Sequence, residues 1–276
     1  MMLGEQVISD EDIRIFQTEG AVVLRGLLST EALDLLRRAY DDMCDEVEDT
    51  GHTARDGRRN MMMPDTARSN ADVRRFLRES PGAKAAAAAM GSKTVRLYED
   101  LLFIKETGAL AAPTPWHQDS THWPAKGRMM SSLWVSLEET RAETGAMKMV
   151  VGSHLKPLHT PLPFSVPEAY HHLITEEEGG PLPDLDADPG RYPTKFYETR
   201  LGDAVLFHPG MLHSAPGAAN SKERRTFTFR MFGDDIRWFN RGIVMQEHYR
   251  AIQLHDGDPI EGVGLPILWP PEQRTI

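Results

Sequence analysis

The feature that most narrows the fold is a series of short β-type runs between residues 93 and 232, punctuated by proline and glycine. Val95 to Lys105 comes first, followed by 130–137, 145–151, 195–199, 203–208, 211–215 and 225–232. Pro113, Pro115, Pro124, Gly152, Gly202, Pro209 and Gly210 stand between them. Parallel strands need long, usually helical, crossovers, and these connections do not read as helices. The pattern therefore predicts a mainly β fold, a sandwich or barrel with flanking helices.

The helices are expected before residue 93. Asp10 to Glu19 reads as a short helix stopped by Gly20, and Ala21 to Leu24 as a strand. Ser29 is a good N-cap, because its hydroxyl can accept from a free backbone N–H of the first turn. Leu33, Leu36, Tyr40, Met43 and Val47 then recur at helical spacing, carrying the helix through Glu48. A Gly- and Arg-rich loop is expected over about 50 to 70, then two shorter helices, the second built on Ala85 to Ala89. A chain with 40% hydrophobic and 26% charged residues is an ordinary folded one. The expected organisation is one domain over 1–276: a mostly helical layer at 1–92, a β core at 93–235 and a C-terminal extension at 236–276. Within the core, the proline-rich stretch 157–193 has no clear period and reads as a lid or an insertion.

Several functions are disfavoured at once. Lys and Arg number 31 against 41 Asp and Glu, a net charge of −10, so the overall footprint of a nucleic-acid binder is missing. No apolar run approaches the roughly 18 residues of a membrane span. The first residues lack the basic and apolar pattern of a secretory signal, and a cytoplasmic location is expected. Cys44 is the only cysteine, so any metal must be held by histidine and carboxylate. No phosphate-binding glycine loop is present, and Gly152-Ser153-His154 is not a nucleophile elbow. The arginines at 55, 58, 59, 68, 74, 75 and 78 are expected to pair with acidic surfaces, with an anionic substrate as the alternative.

One constellation carries chemistry. His117-Gln118-Asp119 is the only His-x-Asp in the chain. In extended backbone, residues two apart share a face, so this imidazole and carboxylate can grip one ion. They supply two donors of the 2-His-1-carboxylate triad, which leaves positions open on Fe(II) for oxygen and a co-substrate. The third donor should come from the distant run Gly202 to His213, where His213 and His208 are the candidates. In the strand that follows, Arg224, Thr226, Thr228 and Arg230 share one face; Arg225, Phe227, Phe229 and Met231 share the other. An Arg-x-Thr face can hold a carboxylate through a guanidinium and a hydroxyl, as a dicarboxylate such as 2-oxoglutarate requires. A slip of one residue would put Arg225 in that role.

The ordered set resembles the phytanoyl-CoA dioxygenase family of Fe(II)- and 2-oxoglutarate-dependent oxygenases. The resemblance covers most of the chain, starting at the helix and strand from Glu11 to Gly26 and strongest from Phe103 to Asp235. It is carried by Trp116-His117-Gln118-Asp119 with Trp123-Pro124, Leu133-Trp134-Val135-Ser136-Leu137, Val151-Gly152-Ser153-His154, and Gly202-Asp203 through His213 to Arg224-Arg225-Thr226. Val151, Thr144 and Asn220 depart from the family pattern, all in turns.

The resemblance implies a double-stranded β-helix, a jelly-roll, cupin-like barrel with helices packed outside. It assigns iron to His117, Asp119 and His213, and the 2-oxoglutarate carboxylate to Arg224, with Trp134 and Thr226 lining the co-substrate pocket. Oxygen is the second co-substrate. The implied reaction is hydroxylation of a small molecule with release of succinate and carbon dioxide. Related halogenases lack the carboxylate, so Asp119 argues against halogenation. Trp116, His122 and Trp123 are candidate substrate contacts. Two other readings are a cupin-like metal isomerase or hydrolase, which needs no carboxylate anchor, and a non-catalytic small-molecule-binding relative. Nothing in the sequence specifies the substrate or the oligomeric state.

Overall fold

The computed structural model describes residues 7–44, 49–53, 59–105, 113–162, 176–215, 223–241 and 253–276. A capping box between Ser9 and Asp12 opens α1 (Asp10–Glu19), and Gly20, left-handed at φ 89°, closes it. The left-handed turn reverses the chain into β1 (Ala21–Leu24). Ser29 caps α2 (Thr30–Met43) by accepting from the Ala32 N–H. Val47, expected to continue this helix, lies outside the described residues, as do Arg55, Arg58 and Asn220. Then come β2 (Asp49–Thr53), β3 (Arg59–Pro64), α3 (Thr66–Ser69), α4 (Ala71–Glu79) and α5 (Gly82–Met90).

The loop expected at about 50 to 70 is thus corrected to a hairpin and a helical turn. Its second strand, β3, lies along the edge of β4 (Val95–Lys105), with Met61 opposite Ile104 and Met63 opposite Leu102. Pairing with a long neighbouring strand supplies the backbone partners that local sequence does not advertise.

The remaining strands are β5 (Thr114–His117), β6 (Ala125–Lys126), β7 (Met130–Ser136), β8 (Met147–Val150), β9 (Thr194–Tyr197), β10 (Ala204–Phe207), β11 (His213–Ala215), β12 (Arg224–Phe232), β13 (Arg237–Trp238) and β14 (Ile267–Trp269). They form a large sheet in the order β1-β10-β7-β12-β4-β3-β2, with β14 also on β4, and a four-stranded sheet in the order β5-β11-β8-β9. The short pair β13-β6 stands apart from both. Every pairing is antiparallel. The two main sheets face one another in a jelly roll.

Strand alternation explains the layers. On β10, Val205 and Phe207 join Trp134 of β7 and Met147 and Met149 of β8 in a cluster between the sheets. Ala204 and Leu206 point the other way, into the core shared with the helices. There Phe229 of β12 stacks on Phe76 of α4, with ring centroids 5.0 Å apart. Each such fully buried side chain contributes about 1.5–3 kcal/mol. Tyr98, Trp123 and Phe232 pack with Trp238, Ile260 and Leu265, so the C-terminal residues belong to a third cluster. Within 157–193, Leu182, Leu185 and Tyr192 pack on Val150, Leu212 and Trp116. That places these residues on the outer side of the small sheet, because Val150 alternates with the inward Met149. Among the described residues, no helix is long and apolar enough to cross a membrane.

Candidate metal centre

His117 ends β5, and His213 begins β11 directly opposite it in register. Cross-strand pairing thus brings together two residues far apart in the chain. The strand stops at His117, and Asp119 opens a short 3-10 turn instead of continuing it. Gln118 keeps an extended backbone (φ −127°, ψ 122°), so Asp119 still returns to the face of His117. Gln118 points elsewhere: its amide donates to the Gly210 carbonyl at 2.7 Å, and its Oε1 accepts from the His159 N–H at 2.8 Å. The residue between two ligands therefore fastens their turn to the turn that precedes His213.

The donor atoms of His117, Asp119 and His213 all lie within 4.8 Å of one another. Asp119 Oδ1 is 3.5 Å from His117 Nε2 and 3.9 Å from His213 Nε2. Bonds of about 2.1 Å would set two donors on one ion no more than about 4.2 Å apart, a limit that both Asp119–histidine distances meet. Both tautomers are fixed for the task. His117 Nδ1–H donates to the Pro115 carbonyl and His213 Nδ1–H to the Met211 carbonyl, each at 2.9 Å, so both Nε2 atoms are turned toward the Asp119 carboxylate. Burial and the charge of His117 press the His213 imidazole down to about 4, keeping it neutral and able to ligate. Burial pushes the Asp119 carboxyl up, but Arg230, His117 and His213 outweigh it and hold it well below the carboxylate range.

Arg230 is the neighbour that sequence reading left without a role. Its Nη2 lies 3.2 Å from Asp119 Oδ2, and its Nη1 binds Glu99 of β4. The signal was present in the β12 alternation, which put Arg230 on the face of Arg224. Glu99 had none, because its partner is 131 residues away.

At the other end of β12 lie two cations of a different kind. Arg224 is paired in register with Lys105 of β4. Arg224 Nη1 donates to the Gly145 carbonyl, while its Nε and the Lys105 Nζ are buried with no hydrogen-bond partner among the described residues. Burial lowers the Arg224 guanidinium to about 10, and burial with the Arg224 charge lowers Lys105 to about 8. Orphaned buried donors are rare because each loses the hydrogen bonds it made to water. Two adjacent ones describe a site that an anion would complete. Gly145, at φ 97°, is required here twice over: a Cβ would stand 2.7 Å from Arg224 Nη1. Arg225 faces away, held by Glu138 at 2.7 Å and lying 4.8 Å from the Tyr40 ring centroid.

Of the other residues singled out from sequence, Trp134 is buried between the sheets opposite Thr228 of β12, and Thr226, buried two residues on from Arg224, pairs with Ser136. Trp123 is buried, with the Arg230 guanidinium 5.4 Å from its ring centroid. His122 closes the 3-10 turn, and neither ring nitrogen has a hydrogen-bond partner. Trp116 turns to the outer side of β5, where its indole N–H donates to Asp186 at 3.0 Å. His208 lies apart from the centre, beside His154 with ring centroids 5.3 Å apart.

Facing antiparallel sheets with two imidazoles and one carboxylate converging on one point define a jelly roll built around a single metal ion. The chain belongs to the phytanoyl-CoA dioxygenase family, whose model matches residues 16–226. It is 22% identical over 275 residues to phytanoyl-CoA dioxygenase domain-containing protein 1 of Danio rerio, covering 82% of this chain and 90% of that protein. Among solved structures it is similar to SnoK, a non-haem α-ketoglutarate-dependent carbocyclase of nogalamycin biosynthesis (TM-score 0.73, 21% identity, 94% of this chain and 96% of that one). It is also similar to the epimerase SnoN in complex with Fe3+, α-ketoglutarate and nogalamycin RO (TM-score 0.74, 20% identity, 94% and 98%).

Proposed function

We propose that the protein is an Fe(II)- and 2-oxoglutarate-dependent dioxygenase that hydroxylates an unactivated C–H bond of a small molecule. The observation that carries this reading is one inner surface holding both a 2-His-1-carboxylate donor set and two cations, Arg224 and Lys105, with no carboxylate in ion-pair reach among the described residues. His117, Asp119 and His213 would hold the ferrous ion, and their number leaves coordination positions for a keto acid and oxygen. When bound, the ion supplies the redox centre at which oxygen is reduced at the expense of 2-oxoglutarate, giving succinate and carbon dioxide.

The chain's own work is binding and orientation. Arg224, fixed against Gly145, and Lys105 beside it attract the distal carboxylate and replace the hydrogen bonds it loses on leaving water. Trp134 and Thr226 form the walls next to this anchor, which sets the direction in which the keto-acid end points. Burial of the whole face excludes bulk water and strengthens each of these contacts. A neutral, ligand-ready His213 and an ionised Asp119 are in place before any ion arrives. A reducing, cytoplasmic setting suits a lone cysteine and a ferrous site.

The test is anaerobic addition of Fe(II) and 2-oxoglutarate, watching for the weak visible charge-transfer band of the chelate. Its absence at saturating co-substrate would end the proposal. With a substrate panel, succinate release accompanied by a product one oxygen atom heavier supports hydroxylation. A product of unchanged mass, or one lighter by two hydrogens, would assign another outcome to the same centre.

A further inference from the structure

The Asp119 carboxylate has two oxygens with different surroundings. Oδ1 faces the His117 and His213 Nε2 atoms, at 3.5 and 3.9 Å, whereas Oδ2 lies 3.2 Å from Arg230 Nη2. A carboxylate free in a metal site can ligate through one oxygen or both. An oxygen held in an ion pair with a buried guanidinium turns toward the ion only by giving up that pair. We propose that Arg230 is a positioning residue for the metal centre, holding Asp119 to ligation through Oδ1 alone. This inference rests on the dioxygenase reading for its purpose. A six-coordinate ion with three protein donors has three positions left, the number that a bidentate keto acid and oxygen require. A second oxygen from Asp119 would take one of them.

The frame around Arg230 is built to keep it there. Its other amino group binds Glu99, a side chain only 5% exposed. Its guanidinium also lies 5.4 Å from the Trp123 ring centroid, and that ring packs on Tyr98 and Phe232. Arg230 faces Glu99 across β4, and the pairing then slips by one residue, so that Met231 faces Leu97. This bulge makes Tyr98 the extra residue of β4 and turns Tyr98, which stacks on Phe232, to the side of Glu99, a local device for re-aiming side chains. Burial pushes the Glu99 carboxyl up and the Arg230 guanidinium draws it down, so acid and guanidinium are held together in the interior.

Replacing Arg230 alone would leave Glu99 buried and unpaired, a change that can unfold a protein for reasons unrelated to the metal. The informative variant is therefore Arg230→Met with Glu99→Gln, alongside the conservative Arg230→Lys. Co(II), added to the metal-free full-length protein, is the probe, because its visible absorption bands report the number and kind of donors. The expected result is a double variant with an unchanged melting temperature whose Co(II) spectrum shifts, or whose Co(II) affinity falls about tenfold or more, as when groups that orient metal ligands are lost. Arg230→Lys, which keeps a charged donor, should recover part of the change. A folded double variant with the wild-type Co(II) spectrum and affinity would overturn the inference. The Fe(II)–2-oxoglutarate band separates the two readings. If the wild type lacks that band, the dioxygenase reading fails, while the Co(II) comparison still decides whether Arg230 positions Asp119.

Discussion

Arg224 and Arg230 stand on the same face of β12, six residues apart, yet their surroundings are opposite. Arg230 is bracketed by two carboxylates, Asp119 and Glu99. Arg224 has a backbone carbonyl, a neighbouring lysine and, among the described residues, no carboxylate in ion-pair reach. Burial acts against the charge of both. At Arg230 the two acids outweigh it, whereas at Arg224 it prevails and the guanidinium falls to about 10. A buried cation with its counter-charge in place is part of the scaffold of a site. One without it marks where a ligand's charge belongs.

The contrast can be broken most severely at the paired end. Asp119→Ala should abolish metal binding and turnover, as should His117→Ala and His213→Ala, measured by calorimetric titration and by succinate release. Full activity in any of the three would remove that residue from the ligand set. The opposite face of the same strand is the control. Phe229→Ala, which empties the contact with Phe76, should lower stability by about 3–5 kcal/mol in denaturant titrations. The position of the Fe(II)–2-oxoglutarate band in the protein that remains folded should not move.

At the waiting end, Arg224→Leu should raise the KM for 2-oxoglutarate by about 10–100-fold, the effect of losing a hydrogen bond to a charged group worth roughly 1.5–3 kcal/mol. Arg225→Leu removes only a partly exposed ion pair, which contributes about 0.2–1 kcal/mol of stability, and should leave that KM within about twofold. The reverse ranking would move the strand register by one residue. The smallest effect is a pH dependence. Lys105 loses its proton at about 8, lower than a free lysine because of burial and the adjacent Arg224. Its charge attracts the co-substrate while protonated, so binding of 2-oxoglutarate should be full below that pH and weaken above it. Lys105→Met should flatten this profile, and an unaltered profile in the variant would remove Lys105 from the anchor.

Much of this arrangement was legible in the sequence, and the reasons are local. Gly20 ends α1 and Ser29 starts α2 because caps depend on one residue and its immediate neighbours. The β12 alternation separates Arg224 from Arg225 because strand periodicity needs no knowledge of the partner strand. What was hidden depends on distant contacts. The hairpin β2–β3 exists along the edge of β4, and its Arg- and Gly-rich sequence reads as a loop. Glu99 becomes a partner of Arg230 only through the pairing of β4 with β12, a contact that neither strand's own sequence reveals. Lys105 ends an expected strand, but its value as a second cation depends on facing Arg224. Trp116 was singled out for its nearness to the metal motif; as the residue before His117 in a strand, it turns to the other side of the sheet.

The pairing of His117 with His213 has a mechanical side. These histidines lie on adjacent strands, and β5 is the outermost strand of the small sheet. An ion gripped by both would rivet that border strand to its neighbour, adding a cross-link to a ladder only a few residues long. Loading state would then be written into the backbone: amide exchange at 114–117 should slow when the rivet is set and quicken when a chelator withdraws it.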